Sequence, residues 1–321
     1  MSDGPTRTES RRYSSFISMS RPISQHSHLR FLKPEVLRRL GNLELVARTV
    51  VEGFVAGLHR SPFLGFSVDF AEYRQYMPGD DIRRIDWKVY ARSDRHYVKE
   101  YEGETNTFVY LLLDVSASMS YSSVPVSKME YASFLAASLA YFAQRQKDSV
   151  GLVTFDEAIV EKIPARCRQG HLARIMHALN KVKPKAQSEF KRPLNAIAES
   201  LRRRGIVVLI SDLLAPTEDI TRGLHQLRHK GNDLVVFQIV DPQEMTFGFT
   251  GPGRLEDVET RQVISFVPDL GRDEYLRRRE EHVAKLKQAC GARGIDYLQL
   301  DTGQPLDFAL YEYLSTRRKS M

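Results

Sequence analysis

Cysteine is scarce. Cys167 and Cys290 are the only two in 321 residues, too few for a disulfide framework and at a spacing that fits no zinc or redox motif. A reducing compartment, the cytoplasm, is therefore the expected location. Long apolar runs are missing as well. The best of them, around Val109 to Leu113 and Ile206 to Ile210, fall far short of the roughly 20 residues that a membrane span requires, so no transmembrane segment is expected. Arg7, Arg11, Arg12 and Arg21 stand among Ser and Thr with no apolar core, which argues against a secretory signal. No Gly-x-x-x-x-Gly-Lys-Ser/Thr loop occurs, which rules out ATP hydrolysis by a P-loop, and neither a Gly-x-Ser-x-Gly elbow nor a His-Glu-x-x-His pair is present. Isolated histidines such as His59, His96 and His171 read as structural.

What the chain does have is a 42% hydrophobic content, enough for a sizeable core, and one stretch around which the rest is arranged. Residues Leu111 to Ser120 read Leu-Leu-Leu-Asp-Val-Ser-Ala-Ser-Met-Ser. The continuous apolar segment Val109 to Leu113 is the pattern of a parallel strand covered on both faces. At its carboxyl end Asp114, Ser116 and Ser118 place a carboxylate and two hydroxyls at alternate positions, so one loop can turn three hard oxygens towards a common point. Oxygen donors of this kind suit Mg²⁺ or Mn²⁺. The simpler alternative is an Asp-Ser loop that only caps the following helix. A second apolar run, Ile206 to Ile210, also ends in a hydroxyl and a carboxylate, Ser211 and Asp212, and two buried parallel strands ending in Asp converge on one site. Helical and extended patterns alternate through the chain, which predicts an α/β fold with a doubly wound, mostly parallel sheet. Ser127-Lys-Met-Glu130 is a capping box opening the helix after the first loop.

Asp114-Val-Ser-Ala-Ser118 resembles the Asp-x-Ser-x-Ser motif of von Willebrand factor A domains. Upstream lie Gly57-Leu-His-Arg-Ser61, Gly65 to Tyr76, Pro78-Gly-Asp-Asp81 and Arg84-Ile-Asp-Trp87. Together these resemble a bacterial family of such domains known only as domain of unknown function 58, over residues 35 to 318. The resemblance implies a von Willebrand factor A-like α/β domain over residues 106–321. Before it come a small N-terminal helix plus β-rich unit at 33–105 and a disordered tail at 1–32. It also implies a metal-ion-dependent adhesion site in which Asp212 joins Asp114, Ser116 and Ser118, often through water. A threonine completes that set in the family, and the nearest residue here is Ser188. Proteins of this kind are commonly associated with MoxR-type AAA+ ATPases, which implies a protein partner of that class.

Two charged regions remain. From Glu161 to Gly205 there are 12 Lys or Arg against 3 Asp or Glu, a net +9 that exceeds the +7 of the whole chain. Such a patch suits nucleic acid, an anionic surface, an acidic protein or plain solvation. Phe190 is its only aromatic residue, so a stacking platform for single strands is not expected. The other region holds Arg74, Asp80, Asp81, Arg84, Asp86 and Trp87, which either fix loops by mutual pairing or form a recognition surface anchored by the sole tryptophan. Three functions compete on these grounds. One is a metal-dependent interaction module whose cation captures a partner's acidic side chain. The second is a Mg²⁺-dependent phosphohydrolase, against which the first loop offers no second acid, no nearby lysine and no general base. The third is nucleic-acid binding through residues 161–205. The first is the expectation, with no catalytic residues.

Overall fold

Alternate side chains of the strand Phe108–Asp114 point to opposite sides of a sheet, and both sides are buried. Val109, Leu111 and Leu113 join one apolar cluster, Tyr110 and Leu112 the other. Each of the three leucines is fully buried and contributes about 2 kcal/mol. The computed structural model describes residues 33–60, 72–75, 97–100, 107–184, 189–249, 251, 253–256, 263–266, 268–307, 309–311 and 313. In chain order the helices are α1 (Pro34–Arg38), α2 (Leu43–Arg60), α3 (Lys128–Arg145), α4 (His171–Lys181), α5 (Lys191–Ser200), α6 (Thr217–His229), α7 (Pro242–Thr246) and α8 (Pro268–Gly291). The strands are β1 (Glu72–Gln75), β2 (Tyr97–Glu100), β3 (Phe108–Asp114), β4 (Ser149–Phe155), β5 (Ile159–Arg166), β6 (Ile206–Ser211), β7 (Asp233–Val240), β8 (Gly253–Glu256), β9 (Val263–Phe266) and β10 (Asp296–Asp301).

Six strands form the main sheet in the order β10-β7-β6-β3-β4-β5, parallel except for the edge strand β5, which runs antiparallel to β4. The doubly wound, mostly parallel α/β sheet is thus present. Two antiparallel pairs, β1 with β2 and β8 with β9, are separate from it. Helices α5, α6 and α8 cover one face through Leu194, Ile197, Leu224, Leu227 and Leu286. Helices α2, α3 and α4 cover the other, together with the helical described residues between 307 and 313.

Helix α3 begins where the sequence pattern places it. The Ser127 hydroxyl accepts from the Glu130 backbone N–H, and the Glu130 carboxylate accepts from the Ser127 backbone N–H at 3.0 Å. Its large apolar residues Tyr131, Phe134, Leu135, Leu139 and Phe142 are buried, and so are Ala132, Ala136, Ala137 and Ala143 between them. Val46, Val50 and Phe54 of α2 explain this, since they belong to the same apolar cluster and cover α3 on its far side. A helix covered all round needs small or apolar residues on every face. The helical pattern from Pro34 breaks at Gly41, whose φ of +64° suits glycine, and α2 restarts at Leu43. Helix α5 opens at Lys191, two residues before Pro193, which still lies in the first turn where its missing N–H costs little. Among the described residues no helix is long and apolar enough to cross a membrane.

Candidate functional site

Parallel packing brings the carboxyl ends of β3, β6 and β7 side by side, each marked by an aspartate: Asp114 as the last residue of β3, Asp212 just after β6 and Asp241 just after β7. Open α/β sheets place their ligand sites outside such strand ends. Asp114 is buried, and one carboxylate oxygen, Oδ1, accepts from the Ser116 backbone N–H at 2.9 Å. The other, Oδ2, accepts from the Ser211 hydroxyl at 2.6 Å. Each oxygen therefore keeps acceptor capacity. The loop then turns through a 3₁₀ segment, Ala117–Ser120, which brings the Ser116 and Ser118 hydroxyls to 3.1 Å from one another. Burial first, and the nearby charge of Asp212 second, push the Asp114 carboxyl up to about 7 against the hydrogen bonds from Ser211 and Ser116.

Asp212 sits at the end of β6, and its Oδ2 receives the Lys128 ammonium at 2.8 Å. The same ammonium reaches Glu244 Oε1 at 2.8 Å, and the Lys128 side chain is fully buried. Burial alone pulls such a lysine down, but the charges of Asp212 and Glu244 outweigh it and hold the ammonium above the ordinary lysine range. The residue after Asp212, Leu213, takes a left-handed φ of +56°, unusual for a branched apolar side chain. Its conformation is braced by its N–H on the Ser211 hydroxyl at 2.9 Å and by a 3.0 Å contact between its carbonyl and the His282 ring. Asp241 is the N-cap of α7 and is occupied locally, accepting from the Ser123 N–H at 2.7 Å, the Ser123 hydroxyl and the Gln243 N–H at 2.8 Å.

The residues fit a divalent cation in their charge and donor chemistry. The Lys128 ammonium is shared by Asp212 and Glu244, while the Asp114 carboxyl feels the negative charge of Asp212, so the carboxylates here carry an excess negative charge that a cation neutralises. Among the described residues no three His, Cys, Asp or Glu side chains form a metal-binding group, so a cation here would rest on two carboxylates, hydroxyls and water.

Of the expected site residues, Asp114, Ser116, Ser118 and Asp212 come together at the ends of β3 and β6. Ser188 lies outside the described residues, as do Asp80, Asp81, Arg84, Asp86 and Trp87, and of Arg74 only its place in β1 is described. One expectation is corrected. Sequence spacing offered no lysine near the Asp114 loop, yet Lys128, 14 positions after Asp114, is brought to Asp212 by the start of α3. A signal for it existed: the first helical position after an N-cap favours acidic residues, so a lysine there is held by something other than the helix. That removes the lack of lysine as an objection to phosphoryl chemistry. The other objections stand, since residue 116 is a serine and the ammonium is already shared by two carboxylates. Ser211, Asp241 and Glu244 were not singled out as site residues either, because their partners lie far away in sequence. His171 is structural, its ring contacting the Val150 carbonyl at 2.7 Å.

A family model, Protein of unknown function DUF58, matches residues 72–287. The chain belongs to that family. Its relatives include the uncharacterized proteins Rv1480 of Mycobacterium tuberculosis (strain ATCC 25618 / H37Rv) and Mb1516 of Mycobacterium bovis (strain ATCC BAA-935 / AF2122/97). Each is 25% identical over 290 residues, covering 89% of this chain and 91% of the relative. Solved structures similar to this DUF58 chain include the conserved hypothetical protein BatB from Bacteroides thetaiotaomicron, with a TM-score of 0.45 and 16% identity over 66% of this chain and 99% of that one. Another is the SpRpn10 VWA domain, with a TM-score of 0.38 and 12% identity over 64% and 94%. The architecture of this DUF58 member is a doubly wound, mostly parallel α/β sheet with helices on both faces.

Proposed function

We propose that this DUF58 protein is a metal-dependent protein–protein interaction module of the adhesion-site type. The observation that carries the reading is the buried Asp114 carboxylate beside two hydroxyls 3.1 Å apart at the end of the central strand. Asp114, Ser116 and Ser118 would hold Mg²⁺ or Mn²⁺, with Asp212 acting directly or through water and Ser188 as the further oxygen that the family pattern suggests. Neutral hydroxyls leave a bound cation with net positive charge, which is what attracts a partner's acidic side chain. The partner class follows from the family resemblance: a MoxR-type AAA+ ATPase, with this chain as adaptor or co-chaperone.

Among the described residues the ammonium beside the loop is already shared by Asp212 and Glu244, which supports binding over hydrolysis. The test is a pull-down of the purified ATPase with the full chain in Mg²⁺ or EDTA, run beside a phosphatase assay. Association should be lost in EDTA and in the Ser116→Ala/Ser118→Ala variant, with no turnover in any sample. Chelator-insensitive association, or phosphatase turnover abolished by Asp114→Asn, overturns the reading.

A further inference from the structure

Lys128 is not used by the reading above, and it is the most unusual charged group described. An ammonium is strongly hydrated, and burying one is costly unless its charge and its protons are matched. Here two carboxylates 2.8 Å away supply that match. Of these, Asp212 is the carboxylate that also bears on Asp114, whereas Glu244 belongs to α7. The lysine is not placed by chance packing of an exposed side chain. The capping box fixes the start of α3, and the Lys128 backbone N–H donates to the Tyr121 carbonyl at 3.1 Å, which ties the helix start to the metal loop.

We infer that Lys128 is the resting counter-cation of the site, holding Asp212 until a divalent ion displaces it, with Glu244 retaining the ammonium afterwards. This deepens the metal-dependent reading and rests on it. A lysine in this role makes cation binding exchangeable, because each binding event must overcome repulsion from a fixed positive charge and the loss of a buried ion pair. It also links occupancy to α7. That helix is tied to the metal loop by the Tyr121 hydroxyl donating to Gln243 at 2.8 Å, and to α8 by the Tyr275 hydroxyl donating to the Glu244 carbonyl at 3.0 Å.

Calorimetric titration of Mg²⁺, and separately Mn²⁺, into the full chain tests this in the native protein, Lys128→Met and Glu244→Gln. Lys128→Met should bind roughly tenfold or more tightly, since a positive charge beside the ion is gone. Its metal-free form should melt lower, with a larger Mg²⁺-induced rise in melting temperature than the native protein shows. Glu244→Gln should bind more weakly, because Lys128 is then left to Asp212 alone; it serves as the readout if Lys128→Met does not fold. Native binding with unchanged or weaker affinity in folded Lys128→Met overturns this inference and leaves the metal site standing. Absence of binding in all three folded proteins overturns both.

A separate observation concerns the opposite end of the sheet. A hollow of about 410 Å³ lies there, walled by Phe108, Val153, Ile163, Pro164, Ala165 and Leu201, with Lys162, Arg202 and Arg203 also lining it. These three basic side chains are exposed and belong to the +9 region. The Arg203 guanidinium lies 5.1 Å from the Phe108 ring centre, and its carbonyl accepts from the Tyr110 hydroxyl at 3.1 Å, so the rim is held against the wall. Apolar walls under a cationic rim complement an acidic segment carrying one bulky apolar residue. Residues 1–32 carry 5 Arg against 2 acidic residues, the wrong sign for this groove. Base stacking is disfavoured because Arg203 already lies over the Phe108 ring and most of the wall is aliphatic.

The geometry points to docking of an acidic peptide of a partner protein here. Fluorescence anisotropy with a labelled Glu/Asp-rich nonapeptide bearing a central Phe tests it. Binding should fall about tenfold or more in Arg202→Glu/Arg203→Glu and when the peptide's Phe is replaced by Ser. Binding that ignores both changes, or tighter binding of a single-stranded oligonucleotide, overturns it.

Discussion

Replacing Ser211 with alanine should cost more than any other single hydroxyl removed near the Asp114 loop. The Ser211 hydroxyl is fully buried and has two partners: it donates to Asp114 Oδ2 at 2.6 Å and accepts from the Leu213 N–H at 2.9 Å. Loss of the first is loss of a hydrogen bond to a charged group, about 1.5–3 kcal/mol. Loss of the second strands a buried N–H in a residue already held at a positive φ, about 1–3 kcal/mol. The two are not fully additive, because Asp114 can shift toward its protonated form, so about 3 kcal/mol is expected. In a chain of this size that lowers the melting temperature by about 5 °C. The measurement is a thermal and urea melt in EDTA of Ser211→Ala and of Ser120→Ala, whose exposed hydroxyl donates only to the Ala117 carbonyl. The control should change by less than about 0.5 kcal/mol. Equal effects for the two, or a loss below 1 kcal/mol for Ser211→Ala, would refute the hydrogen-bond network that joins β3 to β6.

Millimolar Mg²⁺ should raise the melting temperature of the native chain and leave Asp114→Ala unmoved, because an ion that binds only the folded state stabilises it by mass action; an equal rise in both would remove Asp114 from the site. A thiol reagent at pH 8 should label one cysteine per folded chain and two in denaturant, since Cys167 is exposed while Cys290 is buried, its thiol pushed up to about 11 by burial. Labelling of both in the folded state would contradict the packing of α8 on the sheet. Gly205→Ala should leave little soluble protein, as a Cβ there would stand 2.1 Å from the Phe108 carbonyl oxygen, whereas Gly223→Ala meets mainly the movable side chain of Leu194 and should cost about 1–3 kcal/mol.

The strands that build the site were legible because they are continuous apolar runs with buried neighbours on both sides, and the start of α3 because its cap is a local four-residue pattern. Asp114 and Asp212 stood out for the same reason: each ends such a run. Lys128 did not, because what holds it, Asp212 and Glu244, lies 84 and 116 residues away in the chain. Periodicity carries no information about such distant partners. The burial of α3 on every side was hidden likewise, since its outer cover, α2, comes from before β3 and declares itself only as another amphipathic helix. The antiparallel direction of β5 was readable from the tight turn at Asp156-Glu157, but the position of β10 beside β7 rests on a crossover that only the folded chain displays.

Three aspartates stand at the carboxyl ends of three adjacent parallel strands, each after a largely apolar run. Their roles differ because their neighbours differ. Asp241 is followed by Pro242 and caps α7, with Ser123 and Gln243 filling its acceptor sites, so it fastens the segment after the Asp114 loop to the end of β7. Asp212 meets an ammonium, which makes its charge tolerable in a buried place and also keeps it occupied. Asp114 receives hydrogen bonds from the Ser116 backbone N–H and from the Ser211 and Ser116 hydroxyls, all neutral, and feels the negative charge of Asp212. Like Asp241 it has no direct cationic partner, but it alone caps no helix and has the two hydroxyls of Ser116 and Ser118 in its own loop. The strand ends establish where a ligand can sit, and the unequal pairing of these carboxylates makes Asp114 the position to which a cation would be drawn.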